Sequence, residues 1–316
     1  MTPEAIQTER DRRLNLWHEL GRCGGPDRVA PSLVRELRLH RGQQGVFRDQ
    51  ELTASLTPSG TGIAVGLLHT GSSYADDLFD DGVIYHYPVT ARGERDRNEI
   101  VAMKACAEHT LPVFVVITPS PGASTRDVRL GWVTDHDDAS GQLLITFSDG
   151  PLLTTMPRED DDARPFELMV SRTICSTTAK ARPGQGRFRF AVFKRYGNAC
   201  AFCSIIEPKL LEAAHLCPVE ENGTDDPRNG LVMCLTHHKA FDAGLLLIDP
   251  ASKEVLPGPA VSDLKSIGVA VVSIGHLRQV PHRDALMWAW LQHRLGQGGG
   301  NPTQQQYAAD GASRRR

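Results

Sequence analysis

Cys200 and Cys203 form a C-x2-C turn, and Cys234 with His237 forms a C-x2-H turn thirty residues further on. Spacing of this kind brings two soft donors to one side of a short turn, so each pair can meet the same tetrahedral ion and two pairs close a four-ligand shell. The chain between the two arms is then held in place by a metal. Structural zinc is the expected ion for three thiolates and an imidazole.

Inside and just beyond this frame stand His215 in EAAHLCP, Asn229 in DPRNG, and His238 and Asp242 in LTHHKAFD. Cleaving a phosphodiester needs a base for the attacking water, a divalent cation against the phosphate, and a loop that keeps both in place. His215 is the candidate base, because a neutral imidazole accepts a proton near neutral pH. Asn229 sits in a turn-forming segment where its amide can bond backbone groups and hold the His215 loop, an architectural part in the catalytic set His215, Asn229 and His238. His237 and His238 are adjacent, so on a helix their side chains diverge by about 100° and serve different ions. The spacing gives His237 to zinc and leaves His238 for the catalytic cation, with Asp242, one helical turn on, as a second ligand. Cys217 has no partner at metal spacing and reads as a buried thiol.

This stretch resembles the HNH (ββα-metal) endonucleases over roughly residues 185–250. The resemblance implies a structural Zn2+ and a catalytic divalent cation, Mg2+ or Mn2+, with Co2+ and Ni2+ as further candidates. Many members carry an Asp or His immediately before the base, where this chain has Ala214. The cation is therefore expected to have few protein ligands and weak affinity.

At 316 residues and 40% hydrophobic content, the chain is long enough for two modest cores. No apolar run approaches a membrane span, the N-terminus lacks a signal-peptide core, and seven cysteines without a paired framework suit a reducing compartment. A cytoplasmic protein without membrane partners is expected. The net charge of −3 hides a basic stretch over 172–195, in which Arg182, Arg187, Arg189, Lys194 and Arg195 are candidates for DNA-backbone contact. An acidic run at Glu159–Asp162 between Pro157 and Pro165 marks a linker. The boundaries read as a helical segment 1–43, a β-rich domain 44–157, a linker 158–184, the zinc-framed domain 185–295 and a disordered tail 296–316. The segment before the tail, DALMWAWLQHRL, reads as a closing amphipathic helix with Leu286, Trp290 and Leu291 on its inner side.

From 44 to 150 short apolar runs of strand length, IAVGLLH, GVIYHYP, LPVFVVITP, RLGWV and QLLITF, alternate with Gly, Pro, Asp and Ser clusters. One helix, at roughly 95–109, interrupts them. Many strands with few helices predict a curved sheet or open barrel, preceded by helices around 4–21 and 30–40 whose arginines either embrace DNA or brace the sheet.

Within this domain HTGSSYADDLFDDGVIYHYP at 69–88 looks like the base-pocket segment of the SRA domains, which hold modified cytosine flipped out of the duplex. The match extends to GVFRDQ at 45–50 and RDVRLGWV at 126–133, and to bacterial enzymes that join such a reader to an HNH nuclease. It implies a pocket of Tyr74, Asp77, Thr70 and Gly71 with Tyr85 or Tyr87 as the second stacking ring. An extruded pyrimidine needs planar apolar faces and an acceptor for its exocyclic amine, which aromatic rings and a carboxylate provide. The expected fold is α+β: an SRA/PUA-like curved β-barrel with flanking helices, then a zinc-stapled ββα-metal domain.

The expected function is modification-dependent cleavage of double-stranded DNA carrying 5-methylcytosine or 5-hydroxymethylcytosine. A homodimer is expected, because one HNH site cuts one strand. The alternatives are an HNH nuclease reading phosphorothioate, N6-methyladenine or no mark, and a reader of modified DNA that does not cleave.

Overall fold

The structure, a computed structural model, describes residues 2–42, 45–57, 60–71, 77–151, 163–170 and 184–295. It divides into two compact units, Met1–Met156 with Ala179–Arg187, and Pro157–Thr178 with Phe188–Arg316.

The first unit opens with helix α1 (Pro3–Arg22), whose N-terminus combines Pro3 in the first turn with a Thr2 side chain accepting from the Ala5 amide. Helix α2 (Pro31–Glu36) is shorter than its apolar pattern suggests. Arg38 adopts φ 55°, a left-handed conformation that a helix cannot continue through. Then come β1 (Gly45–Arg48), the single turn α3 (Gln50–Thr53), β2 (Ala64–His69), β3 (Leu78–Phe79) and β4 (Gly82–His86). The unit continues with α4 (Gly93–Glu108), β5 (Pro112–Ile117), β6 (Asp127–Asp137) and β7 (Gln142–Phe147).

These strands make one open sheet in the order β1-β2-β5-β6-β7-β4-β3. β2 and β5 run parallel, and the other pairs are antiparallel. Register shifts in β1 at Phe47/Arg48 and in β6 between Val133 and Asp135 are the irregularities that bend strands and curl a sheet into a half-barrel.

The two parallel strands explain why VGLL and VFVV read as unbroken apolar runs: both of their faces are covered. On one face Val113 and Val115 pack with Met103, Ala102 and Cys106 of α4. On the other Phe114 and Val116 pack with Leu20, Val34 and Leu37 from α1 and its neighbourhood. Arg13 is fully buried between them and donates 2.7 Å hydrogen bonds to the carbonyls of Ala64 and Pro112 and to Glu9. At this position the N-terminal arginine braces the sheet.

The second unit contains the part of α5 (Gln185–Tyr196) from Phe188 onward, the antiparallel pair β8 (Leu211–His215) and β9 (Gly230–Cys234), and α6 (Leu235–Asp242). A second antiparallel pair, β10 (Leu246–Ile248) and β11 (Val255–Pro257), precedes α7 (Arg283–Leu295). The core gathers Phe188 and Val192 of α5, Leu211 and Ala214 of β8, Leu231 to Met233 of β9, and Phe241 of α6. In α7 the inner residues are Ala285, Leu286, Trp288 and Ala289, which corrects the expected inner side: Trp288 is buried, whereas Trp290 lies under the Arg294 guanidinium at 4.5 Å.

Residues 163–170, read from composition as linker, are stitched onto this unit. The Thr224 amide donates to Leu168 O and the Val170 amide to Asn222 O, both at 2.9 Å, while Arg228 donates to Arg164 O at 3.0 Å. Backbone pairing of this kind needs no apolar signature, which is why composition missed it. Among the described residues no helix is long and apolar enough to cross a membrane.

Candidate metal centre and nuclease site

The C-x2-C arm follows α5, and the C-x2-H arm joins the end of β9 to the first turn of α6. Together they bring one donor atom each from Cys200, Cys203, Cys234 and His237 to within 4.8 Å of one another. The Cys234 Sγ–His237 Nδ1 distance is 3.1 Å, Cys200 Sγ–His237 Nδ1 is 3.5 Å, and Cys203 Sγ–Cys234 Sγ is 3.9 Å. Donors bound at about 2.3 Å to one tetrahedral ion stand about 3.8 Å apart, so the four residues fit such an ion. The Phe202 and Cys234 amides both point at Cys200 Sγ, at 3.5 and 3.2 Å, as donors to a thiolate would. Burial holds the His237 imidazole below its ordinary pKa and so keeps it neutral, the form in which it can ligate.

His215 ends β8, where it pairs in register with Gly230. Its ring lies on Phe188 at 3.6 Å between centroids and 9° from parallel, and its Nε2 is 3.1 Å from Asp225 Oδ1. A neutral ring that donates from Nε2 to a carboxylate keeps its lone pair on Nδ1. Gly230 is required by close approach: a Cβ there would lie 2.5 Å from Val192 Cγ2 and 2.7 Å from Phe188 Cζ. A side chain at 230 would thus push away the helix that carries the ring under His215.

Asn229 is fully buried and satisfied on both ends of its amide. Oδ1 accepts from the Cys217 amide at 2.9 Å, and Nδ2 donates to Cys217 O at 2.9 Å and Thr224 O at 2.8 Å. It clamps the chain on either side of the loop that follows His215. Cys217 is itself buried, and desolvation pushes its thiol up to about 12, consistent with an inert packing residue.

His238 faces away from the Cys3His cluster. Its Nδ1 is 2.5 Å from Glu212 Oε2, and its Nε2 is 3.7 Å from Asp242 Oδ2. Glu212 and Asp225 were not legible as site residues, because nothing in their local spacing ties them to a histidine; only strand pairing and loop closure bring them there.

Residues 200–249 match a family described as HNH endonuclease. The chain carries an HNH endonuclease domain. The protein is accordingly a nuclease that hydrolyses DNA. Among solved structures, the chain is similar to one titled "Modification dependent TagI restriction endonuclease", at 18% identity and TM-score 0.31, covering 88% of this chain and 93% of that one. It is also similar to one titled "Structure of the Type IV phosphorothioation-dependent restriction endonuclease ScoMcrA", at 14% identity and TM-score 0.25, covering 67% of this chain and 64% of that one. No curated protein matches it significantly.

Among the described residues, the basic side chains expected to meet DNA have partners within the protein. Arg187 is 3.6 Å from Asp81. Arg189 donates to Leu211 O at 3.0 Å with its guanidinium over Phe193, and Arg195 donates to Val280 O and Tyr196 Oη, both at 3.2 Å. Lys194 also has a partner, and Arg182 lies outside the described residues.

In the first unit Tyr74 lies outside the described residues. Thr70 and Gly71 follow β2, and Asp77 is buried immediately before β3. Among the described residues the side chain that meets Asp77 is His86, not a tyrosine. By strand alternation Tyr85 and Tyr87 point to the opposite face from His86. That face packs on the α4 side of the core, where Tyr87 Oη donates to Asp138 at 2.7 Å and Lys104 Nζ sits 5.6 Å from its ring centroid. Burial, and then Asp138 accepting from the hydroxyl, raise the Tyr87 pKa, so the phenol stays protonated. His69 is held below its ordinary pKa by burial, which the nearby Asp77 charge opposes.

Proposed function

We propose that the protein is a modification-dependent DNA endonuclease in which an SRA-like first unit takes a flipped 5-methylcytosine or 5-hydroxymethylcytosine and the HNH domain cleaves nearby. The observation that carries the nuclease half is the enclosure of His215 by Asp225, Phe188 and the Asn229-clamped loop, on the same β8–β9 hairpin whose far end carries Cys234 of the Cys3His cluster. His215 Nδ1 takes the proton of the attacking water, because Nε2 is turned toward Asp225. Phe188 covers one face of the ring and fixes its plane. A divalent cation, Mg2+ or Mn2+, supplies neutralisation of phosphate and leaving-oxygen charge when bound. His238 Nε2 and Asp242 would hold it, and zinc would occupy the Cys3His cluster. An ion with contacts of about 2.1 Å can bridge donors up to about 4.2 Å apart, so their separation fits.

For the reader, support comes from the buried carboxylate of Asp77 in the segment HTGSSYADD. Asp77 would accept from the N4 amine of cytosine and reject thymine, whose O4 cannot donate, with Tyr74 stacking on one face of the base. His86, already bonded to Asp77, keeps the carboxylate aimed until the base arrives. A homodimer would let two HNH sites cut both strands.

The test uses matched unmodified, 5-methylcytosine and N6-methyladenine duplexes with Mg2+ or Mn2+. Scission confined to the cytosine-modified duplex, abolished by His215→Ala and made indiscriminate or lost by Asp77→Asn and Tyr74→Ala, supports the reading. Equal cutting of all three duplexes, or a preference untouched by both pocket substitutions, overturns the reader.

A further inference from the structure

Glu212 lies on β8 two residues before Ala214 and, by strand alternation, on the same face. Ala214 is where many HNH enzymes carry an acidic or imidazole side chain, and its methyl can hold nothing. From its own position Glu212 reaches across to α6, placing Oε2 2.5 Å from His238 Nδ1, although the two residues are 26 apart in sequence. The Glu212 side chain is 42% exposed and that of His238 25%, so this is a half-open contact that water can reach rather than a core ion pair.

We propose that Glu212 is a positioning residue that sets the tautomer and orientation of His238 and thereby builds the divalent-cation site. The inference rests on the reading of His238 as a cation ligand. A carboxylate at Nδ1 keeps the proton on that nitrogen, and the lone pair then resides on Nε2. Nε2 is the nitrogen that lies 3.7 Å from Asp242 Oδ2. The imidazole thus presents its free nitrogen beside the one carboxylate on its own helical face, while its other nitrogen is anchored to the sheet. Partners of this kind, bonded to the far nitrogen of a ligating histidine, orient the ring and raise its basicity. In this chain the acidic group missing at 214 is replaced by one that acts through His238.

The same geometry permits a competing assignment in which Glu212 itself touches the cation, and the two differ in what an amide can do. Gln in place of Glu still offers Oε1 as an acceptor for Nδ1–H, but it is a poor ligand for a hard divalent ion.

The experiment is isothermal titration of Mn2+ into the zinc-loaded full-length protein and its variants, with thermal melting of each variant as a check on folding. Parent protein is expected to bind, and His238→Ala to lose that binding. Glu212→Ala should weaken it by about 10- to 100-fold, the range for removing such a partner, and Glu212→Gln by no more than about threefold. Glu212→Ala binding like the parent overturns the proposal, as does a parent that binds no Mn2+. Glu212→Gln as weak as Glu212→Ala also overturns it and makes the carboxylate a direct ligand. Failure of the nuclease reading looks different: Mn2+ binding that depends on Glu212 with no scission of any duplex.

Discussion

The imidazole of His215 and the ring of Phe188 lie face to face, 3.6 Å apart and 9° from parallel. Phe188 is 2% exposed, so the ring under His215 belongs to the core and cannot turn away without opening it. Replacing it by Leu keeps most of the apolar volume and removes the flat surface. Phe188→Leu is expected to cost about 1–2 kcal/mol of stability, less than the ~3–5 kcal/mol of truncation to Ala, because most of the volume stays filled. Cleavage should slow by about tenfold or more, part of the 10²–10⁴-fold that a positioned base contributes. Single-turnover rates beside urea midpoints separate the two effects, and a parental rate would show that the stack is packing alone.

Asp225 should matter to rate and not to folding, because it touches His215 from a partly exposed position. Asp225→Ala is expected to lower the single-turnover rate by about tenfold or more with DNA affinity unchanged. Gel-shift affinity measured with rate is the check; a loss of affinity equal to the loss of rate would point to a DNA contact instead.

Asn229→Ala should act on the fold. It removes three buried hydrogen bonds and leaves the Cys217 amide and two carbonyls without their partner. At about 1 kcal/mol per bond, and more where a buried group is orphaned, the loss is about 2–4 kcal/mol. Denaturant unfolding of the variant measures it, and a change below about 1 kcal/mol would mean that water replaces the amide.

Metal removal should be selective. A strong chelator that strips the Cys3His cluster is expected to lower the melting temperature of the second unit and leave the first unit's transition in place, since structural metal binding is itself folding free energy. Differential scanning calorimetry with a thiol titration reads both events. Unchanged melting after complete removal would demote the cluster to a passenger.

The first unit carries its own pH dependence at Glu9. Burial resists ionisation of this carboxyl, but hydrogen bonds from Arg12 and the charge of Arg13 outweigh it and hold the pKa below the ordinary 4.5. A depressed folded-state pKa adds stability above the unfolded value, and that contribution is lost as pH falls through the folded one. Arg13→Met should lower the melting temperature at pH 7 by several degrees and flatten the acid limb below pH 4.5. Melting curves from pH 3 to 7 decide it, and a parallel shift at every pH would refute the linkage.

What the chain declared on its own was whatever depends on short spacing. C-x2-C and C-x2-H name a candidate ligand set because residues three apart share one turn, and the 100° step between His237 and His238 separates their directions before any tertiary contact exists. Apolar run length likewise announced β2, β4, β5, part of β6 and β7, and a core stripe announced a helix at roughly 95–109, which the structure places at 93–108. The tertiary structure decided the rest. The parallel pairing of β2 with β5, the stitching of 163–170 to the loop at 222–224, and the burial of Trp288 rather than Trp290 rest on contacts between segments distant in sequence. So do the carboxylates that meet the two histidines. Glu212 meets His238 because β8 packs beside α6, and Asp225 meets His215 because Asn229 closes the loop between them. A carboxylate ten or 26 residues from its partner leaves no periodic trace, since its position is set by strand register and loop closure, which the folded chain determines collectively.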